Sequence, residues 1–391
     1  MSRLLTVPQL LLLAFFLLLA GCSPTDESTS DPDAAAADPD MVSQASPDGD
    51  WPAEEYPADA ELPVRQIPNM PESAEAYYAP DNYHLIAQTQ DPDATAPEAR
   101  KAGGALTWIF TDDGETKWRV GTRGQDACSY FFPDMKRVVF TSTRDNMDMP
   151  VGNWSDEREY PQGAELYIAD LDGSNIQRLT DNKWYEAEVS ISPNGEWIVF
   201  GRQIDGKMDL WRMRSDGTDE EQITFTDDWQ EGAPFYLPDN ETILTRAWRR
   251  SQYGQEGPTP MTVFTVKHDG SETIQRTFDE DMNWAPYPAP DGRHYVFVRI
   301  VEDNNWEVFL GDLAGGEPRR LTYNKTFDGF PSLSPDGKKM LFTRSKGGFM
   351  SNLYTNVMDV SSLNIGPDQW QGQVPDISPP DEVDAEPVAS R

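Results

Sequence analysis

Six polar residues at one repeated position are the main candidates in this sequence for binding a ligand. Each lies seven residues before a proline that opens a Pro-Asp or Pro-Asn turn, and four of the six are acids. If the fold gathers them around one axis, their carboxylates would bind Ca²⁺, a cationic peptide or an amine. Alternatively, they cap turns or pair with arginines. The six are Ser73, Asp126, Glu186, Glu231, Asn283 and Asp328.

The turns themselves indicate the elements that must position these side chains. They recur at intervals of 45 to 60 residues, and an apolar β-type run follows each one, as in 197–200. A second hairpin, with an Asp-Gly or Gly-Gly turn, follows in most units. Four short strands per unit of about 50 residues predict an all-β fold, a six-bladed β-propeller with four-stranded blades over 64–365. The turns begin at Pro80, Pro133, Pro193, Pro238, Pro290 and Pro335.

Two segments give this repeat a family resemblance. Ser-Pro-Asp-Gly-Lys-Lys-Met-Leu-Phe-Thr-Arg (334–344) and Asp-Leu-Trp-Arg-Met-Arg-Ser-Asp-Gly-Thr (209–218) resemble the TolB-type β-propeller repeat, which extends over 65–365. Only the propeller half of TolB has a counterpart, because residues 23–64 have the composition of a disordered segment and not of TolB's N-terminal α/β domain. The resemblance implies blades whose first strands line a central channel, so the six polar residues would form a ring at its mouth.

Five arginines support the alternative in which the acids form ion pairs and bind no ligand. They follow the same prolines by eight to eleven residues, at the end of each second strand, and so would form ion pairs between blades. Long loops between second and third strands, roughly 90–103, 143–163 and 249–259, should open on the same face as the acids. Loops of this kind on a rigid scaffold often bind ligands. The interblade arginines are Arg144, Arg202, Arg246, Arg299 and Arg344.

The N-terminus resembles a bacterial lipoprotein signal. The apolar run 10–20 is too short to cross a bilayer, and Leu-Ala-Gly-Cys (19–22) resembles the lipobox. This implies a signal peptide over 1–21, cleavage before Cys22 and a lipid on its sulfur; an ordinary signal peptide is the alternative. Ser23 after the cysteine resembles outer-membrane sorting. We therefore expect a lipid-anchored protein of the cell envelope, on the outer membrane facing the periplasm.

Acidic ends flank the predicted propeller. Residues 23–64 contain twelve acids and no Lys or Arg, and 366–391 contain six acids and one Arg. Such segments bury too little apolar area to offset their ordering entropy, so we predict a disordered tether over 22–63 and a disordered tail over 366–391. The formal charge of −35 for the whole chain also argues against nucleic acid as a partner.

One short segment before the first blade should close the ring. Residues 64–68 resemble a fourth strand, and Ile67 precedes Pro80 by 13 residues, as Val120 precedes Pro133. We predict that this segment pairs with the last blade, which has no fourth strand of its own. Closure of this kind removes exposed sheet edges.

Catalytic signatures are few. The sequence has no Gly-x-Ser-x-Gly, His-Glu-x-x-His or Cys-x-x-Cys, and no catalytic residue is proposed from it. Oligogalacturonate lyases, another family with a similar propeller, use a His-rich metal site, but His84, His268 and His294 lie outside the first strands. We therefore interpret the protein as a monomeric binding or scaffold propeller for an envelope protein, a basic peptide or a glycan. It would need no cofactor, and Ca²⁺ is the candidate ligand of the channel. Such a lyase, or another envelope enzyme, is the alternative.

Overall fold

The computed structural model describes residues 60–89, 104–302 and 305–377. In them the chain forms six antiparallel four-stranded sheets, as the sequence predicts. The predicted signal peptide, Cys22, most of the acidic tether and residues 378–391 lie outside the described residues. Within the described ranges, no helix combines the length and apolar character needed to cross a membrane.

Each sheet is one blade, and its strands follow one another along the chain. Strand β1 (Val64–Gln66) comes first and joins the last blade. Blades one and two contain β2 (Ser73–Tyr78), β3 (His84–Thr89), β4 (Leu106–Thr111), β5 (Lys117–Arg119), β6 (Asp126–Phe131), β7 (Arg137–Ser142), β8 (Glu165–Asp170) and β9 (Gln177–Arg178). Blades three and four contain β10 (Tyr185–Ile191), β11 (Trp197–Ile204), β12 (Lys207–Arg214), β13 (Glu221–Gln222), β14 (Trp229–Tyr236), β15 (Thr242–Arg249), β16 (Thr262–Lys267) and β17 (Thr273–Gln275). Blades five and six contain β18 (Trp284–Pro288), β19 (His294–Ile300), β20 (Trp306–Asp312), β21 (Arg319–Arg320), β22 (Asp328–Leu333), β23 (Lys339–Ser345) and β24 (Leu353–Asp359). Short 3-10 turns lie at Arg250–Gln252, Ser361–Leu363 and Pro367–Gln369.

The repeated proline turns connect the first and second strands of each blade. Their third residue takes a left-handed conformation, with φ of 60° at Asn82 and 67° at Gly292, which asparagine and glycine accept with little strain. The acid before it holds the turn: the Asp291 carboxylate accepts hydrogen bonds of 2.9 Å from the backbone N–H groups of Arg293 and His294. All six turns lie on one face of the propeller, and the long loops 143–163 and 249–259 lie on the other. The third predicted loop, 90–103, lies outside the described residues.

Ring closure is confirmed. Strand β1 pairs antiparallel with β24, with Val64 opposite Met358 and Gln66 opposite Asn356. The Ile67 N–H continues the pairing by donating to the Thr355 carbonyl at 3.0 Å, and its side chain is 1% exposed. The first and last parts of the described chain are thus joined in one blade.

The chain continues in contact with the propeller beyond residue 365, where the tail is predicted to begin. The Trp370 ring lies so close to Gly292 that a Cβ there would come within 2.1 Å of it. Val374 packs against a hydrophobic cluster that blades four and five share, and Arg276 Nη1 donates to the Pro375 carbonyl at 2.9 Å. Residues 366–377 therefore cover part of the proline-turn face.

Candidate functional site

Four aromatic side chains close the channel in its middle. They come from the first strands, three residues before the turn prolines, and each contacts at least two of the others. The Phe235 and Tyr287 ring centres are 4.7 Å apart, and the hydroxyls of Tyr130 and Tyr287 are hydrogen-bonded at 2.8 Å. We call Tyr77, Tyr130, Phe235 and Tyr287 the aromatic plug.

The plug separates two cavities. The one on the proline-turn face has a volume of about 340 Å³ and is lined mainly by the turn prolines and the aromatic residues beside them. The other has a volume of about 420 Å³ and opens on the long-loop face, where Trp154, Tyr160 and Tyr253 of the long loops form part of its wall. We call this second space the loop-face cavity. Acidic, basic and aromatic side chains line it.

A bulge in the first strands directs side chains into the loop-face cavity. The pairing of first and second strands shifts register at this point in every blade, for example between Ala187 and Ser190. The bulged residue lies five positions before the turn proline, and in five blades its φ is positive, between 39° and 55°. A bulge re-aims the side chain it contains. The bulged residues are Glu75, Cys128, Glu188, Ala233, Ala285 and Phe330.

Two of these bulged residues are acids, and they form the polar part of the cavity with Arg246. Glu188 Oε1 accepts from Arg246 Nη2 of the next blade at 2.8 Å, and Oε2 accepts from the Ala233 N–H at 2.6 Å. Glu75 accepts a hydrogen bond from the Tyr77 hydroxyl, and the Cys128 Sγ lies 3.8 Å from its Oε2. Burial raises the pKa of Glu75, while the Tyr77 hydrogen bond opposes this shift and the Glu188 charge adds to it. Glu75 thus ionises less readily than a solvated glutamate.

The opposite part of the cavity is apolar. Blades five and six supply Trp284, Trp306 and Phe330, with ring centres 4.6 Å apart for Trp284–Phe330 and 5.3 Å for Trp284–Trp306. Methionine and leucine side chains complete this wall. The cavity therefore has one side that carries charged groups among its aromatic residues and one side that carries none, an arrangement that orients an amphiphilic ligand.

Most of the six residues predicted from the sequence to form a ring lie outside the loop-face cavity. All are at most 4% exposed, and only Ser73 and Asp126 line the loop-face cavity. The Asp126 carboxylate accepts from the Thr107 N–H at 2.9 Å, and Glu231 accepts from the Thr226 hydroxyl at 2.9 Å. Glu186, Asn283 and Asp328 accept from arginines.

The five predicted arginines divide into different roles. Three pair within their own blade, because antiparallel pairing places the end of the second strand beside the start of the first: Arg202 with Glu186, Arg299 with Asn283, and Arg344 with Asp328. Arg246 joins two blades through Glu188. Arg144 lies over the Tyr167 ring, 5.5 Å from its centre. The predicted interblade pairing thus describes Arg246, whereas the three other pairs hold single blades together.

Glu75 and Glu188 are the cavity residues that the sequence reasoning missed. Counting along a regular strand places residues seven and five positions before the proline on the same side. The sequence analysis selected the position seven before the proline, of which only Ser73 and Asp126 line the cavity. A signal was present: Pro234, Pro286 and Pro331 follow the bulged residue in three blades. Proline inside a strand marks a bulge or an edge.

Asp126 should make stability depend on pH. Burial raises its pKa to about 6, against hydrogen bonds from Ser142 and Thr107 that lower it. Because the folded state then holds this proton more tightly than the unfolded state, the stabilisation is complete only below about pH 4 and is lost as pH rises through about 6. We expect the free energy of unfolding of the wild type, relative to Asp126→Asn, to fall by roughly 2 kcal/mol between about pH 4.5 and 7.5. Urea denaturation at each pH measures it; parallel curves would contradict the prediction.

The histidines lie away from the loop-face cavity. His84 and His294 pair with the turn acids Asp81 and Asp291 at 2.6 and 2.5 Å, on the proline-turn face. In the described ranges, no group of three or more His, Cys, Asp or Glu side chains is arranged to hold a metal ion.

Comparison of the sequence with known proteins finds relatives that match only part of the chain. The sequence matches no known family profile. Among curated relatives, an uncharacterized protein of Agrobacterium fabrum is 28% identical over 145 residues, which are 35% of this chain and 48% of that protein. The match thus spans about half the length of that relative.

Solved structures of other proteins show the same fold. TolB from Acinetobacter baumannii superposes with a TM-score of 0.53 at 18% identity, covering 71% of this chain and 64% of that one. The oligogalacturonate lyase from Vibrio parahaemolyticus gives 0.50 at 11% identity, covering 78% and 96%. The chain therefore folds as a TolB-like six-bladed β-propeller. At these identities the likeness carries fold and not activity.

Proposed function

We propose that this chain is a binding propeller of the cell envelope, anchored through a lipid on Cys22, which receives a segment of a partner protein or peptide in the loop-face cavity. The observation that supports the proposal most is the shape of the channel. The aromatic plug closes it below, so the space above is a pocket about 420 Å³ in volume and not a pore. Long loops rim its opening, and a rigid ring of blades positions its walls.

Charge supports the same role. Four acids line the cavity, Glu72, Glu75, Asp126 and Glu188, and Arg246 is the one Lys or Arg among the described residues that line it. A partner with a basic segment would be attracted to this face. An envelope protein or basic peptide therefore fits the cavity better than an acidic polymer does.

Chemical crosslinking of the tagged, full-length protein in envelopes of a Gram-negative host tests this proposal. We expect a specific crosslinked partner, and we expect the Glu75→Gln/Glu188→Gln variant to lose it. Glu159→Gln, a change at an exposed acid of the long loop, is the matched control. The Glu186→Gln/Glu231→Gln variant tests the ring predicted from the sequence in the same assay. If the Glu75/Glu188 variant is folded and retains every partner, the loop-face cavity is not the binding site.

The metal-dependent alternatives are tested with the same preparation. Ca²⁺ in the channel, predicted from the ring of acids, requires that capture depends on calcium and disappears with a chelator. The lyase alternative requires turnover of oligogalacturonate that needs a divalent metal. We expect capture that survives chelation and no turnover; the opposite result in either assay would replace the binding role with the corresponding alternative.

A further inference from the structure

The two sides of the loop-face cavity differ in a way that specifies a ligand. The acids on its wall come from blades one to three, whereas the wall that blades five and six and the loop beside them supply, with Trp284, Phe330 and Met350, carries no charged side chain. A ligand that fills the cavity must therefore place unlike groups on its two sides.

In the described ranges, no Lys or Arg forms an ion pair with Glu75; the charge of Arg246 acts on Glu75 only from beyond ion-pair distance. Glu188 already forms an ion pair with Arg246, which is only 6% exposed. Among the described residues, the hydrogen-bond donors to the Glu75 carboxylate are a phenol and a thiol, both neutral. A carboxylate in largely apolar surroundings is costly unless a cation pairs with it.

We propose that the loop-face cavity recognises an organic monocation, an ammonium group carried on an aromatic or branched aliphatic body. The ammonium would lie at Glu75, beside the Glu188–Arg246 pair, and the body would lie against Trp284 and Phe330. This inference rests on the proposed function and adds to it the chemical class of the ligand. Aromatic walls favour such a cation further, because the faces of Tyr and Trp rings attract positive charge.

Three probes with the same indole ring separate charge from apolar contact. Tryptamine carries an ammonium, tryptophol a neutral hydroxyl and indole-3-propionate a carboxylate. We expect calorimetric titration of the full chain to give a dissociation constant for tryptamine about tenfold to hundredfold lower than for tryptophol, with indole-3-propionate weakest. N-acetyl-Lys-Trp-amide carries the same groups on a peptide, and tighter binding than tryptamine would identify a peptide as the source of the ligand.

Two variants assign this preference to its residues. Glu75→Gln keeps an acceptor for the Tyr77 hydroxyl but removes the charge, so tryptamine and tryptophol should bind within about twofold of each other. Trp284→Ala should weaken both probes equally, and Glu159→Gln should change neither. Equal affinity of the three probes for the wild type, or a cation preference retained by Glu75→Gln with an unchanged melting temperature, would overturn the proposal.

The outcomes separate this inference from the proposed function. If the envelope partner is captured through Glu75 and Glu188 but the probes show no order by charge, the ligand class is wrong and the binding role stands. If neither a partner nor a probe binds, both proposals are wrong.

Discussion

Removing strand β1 should lower the melting temperature of the protein by about 10 °C or more. The strand supplies the outermost strand of blade six, and without it β24 becomes an open edge. The deletion also removes Ile67, which is 1% exposed and packs with Leu85 and Val357. Loss of one such side chain alone costs about 2–5 kcal/mol.

Two deletions isolate the effect of this strand. Removal of 23–70 takes away β1 and Ile67, whereas removal of 23–59 retains them with the Glu61–Arg319 ion pair at 2.6 Å. From the acidic composition of 23–59, we expect the second deletion to melt close to the wild type. Thermal unfolding followed by circular dichroism measures both, and equal melting temperatures would show that the ring does not depend on β1.

Breaking the buried pair of blade six should have the second large effect. Arg344 Nε and Nη2 each donate to the Asp328 carboxylate at 2.7 Å, and the side chains are 7% and 0% exposed. Arg344→Met leaves that carboxylate buried without its counterion. We expect a loss of about 3–5 kcal/mol in the free energy of unfolding, measured by urea denaturation.

A second substitution distinguishes charge from packing in that variant. Arg344→Met/Asp328→Asn removes both charges and keeps an oxygen that can accept from Asn324, now 3.1 Å from Asp328 Oδ1. The double variant should recover most of the lost stability, because burying an unpaired charge is the main cost. If the double variant is as unstable as Arg344→Met, the loss comes from packing, and the ion-pair explanation is contradicted.

The architecture was accessible from the sequence because it depends on local chemistry. The third residue of each turn has a positive φ, and in five of the six turns it is asparagine or glycine, as at Asn82, Gly195 and Gly337. The apolar run after each turn then fixes a strand, and equal spacing places Ile67 where a fourth strand is missing. Repetition of one simple unit made these signals strong enough to read.

The cavity was harder to predict, because a bulge reverses which residues face the axis. One extra residue in a strand moves every side chain before it to the other face. Glu188 therefore enters the channel and Glu186 pairs with Arg202 inside the blade. Pairing across blades, as between Glu188 and Arg246, depends on the angle between sheets, which short sequence motifs do not contain.

Site-specific photo-crosslinking tests the binding role of the loop-face cavity most directly. The photoreactive residue p-benzoylphenylalanine would replace Thr259, a half-buried residue of the cavity wall, or Lys338, an exposed residue on the proline-turn face. With the full-length protein in living cells, we expect a specific crosslinked product from position 259 and none from 338. A product from 338 with none from 259 would place binding on the opposite face and contradict the account.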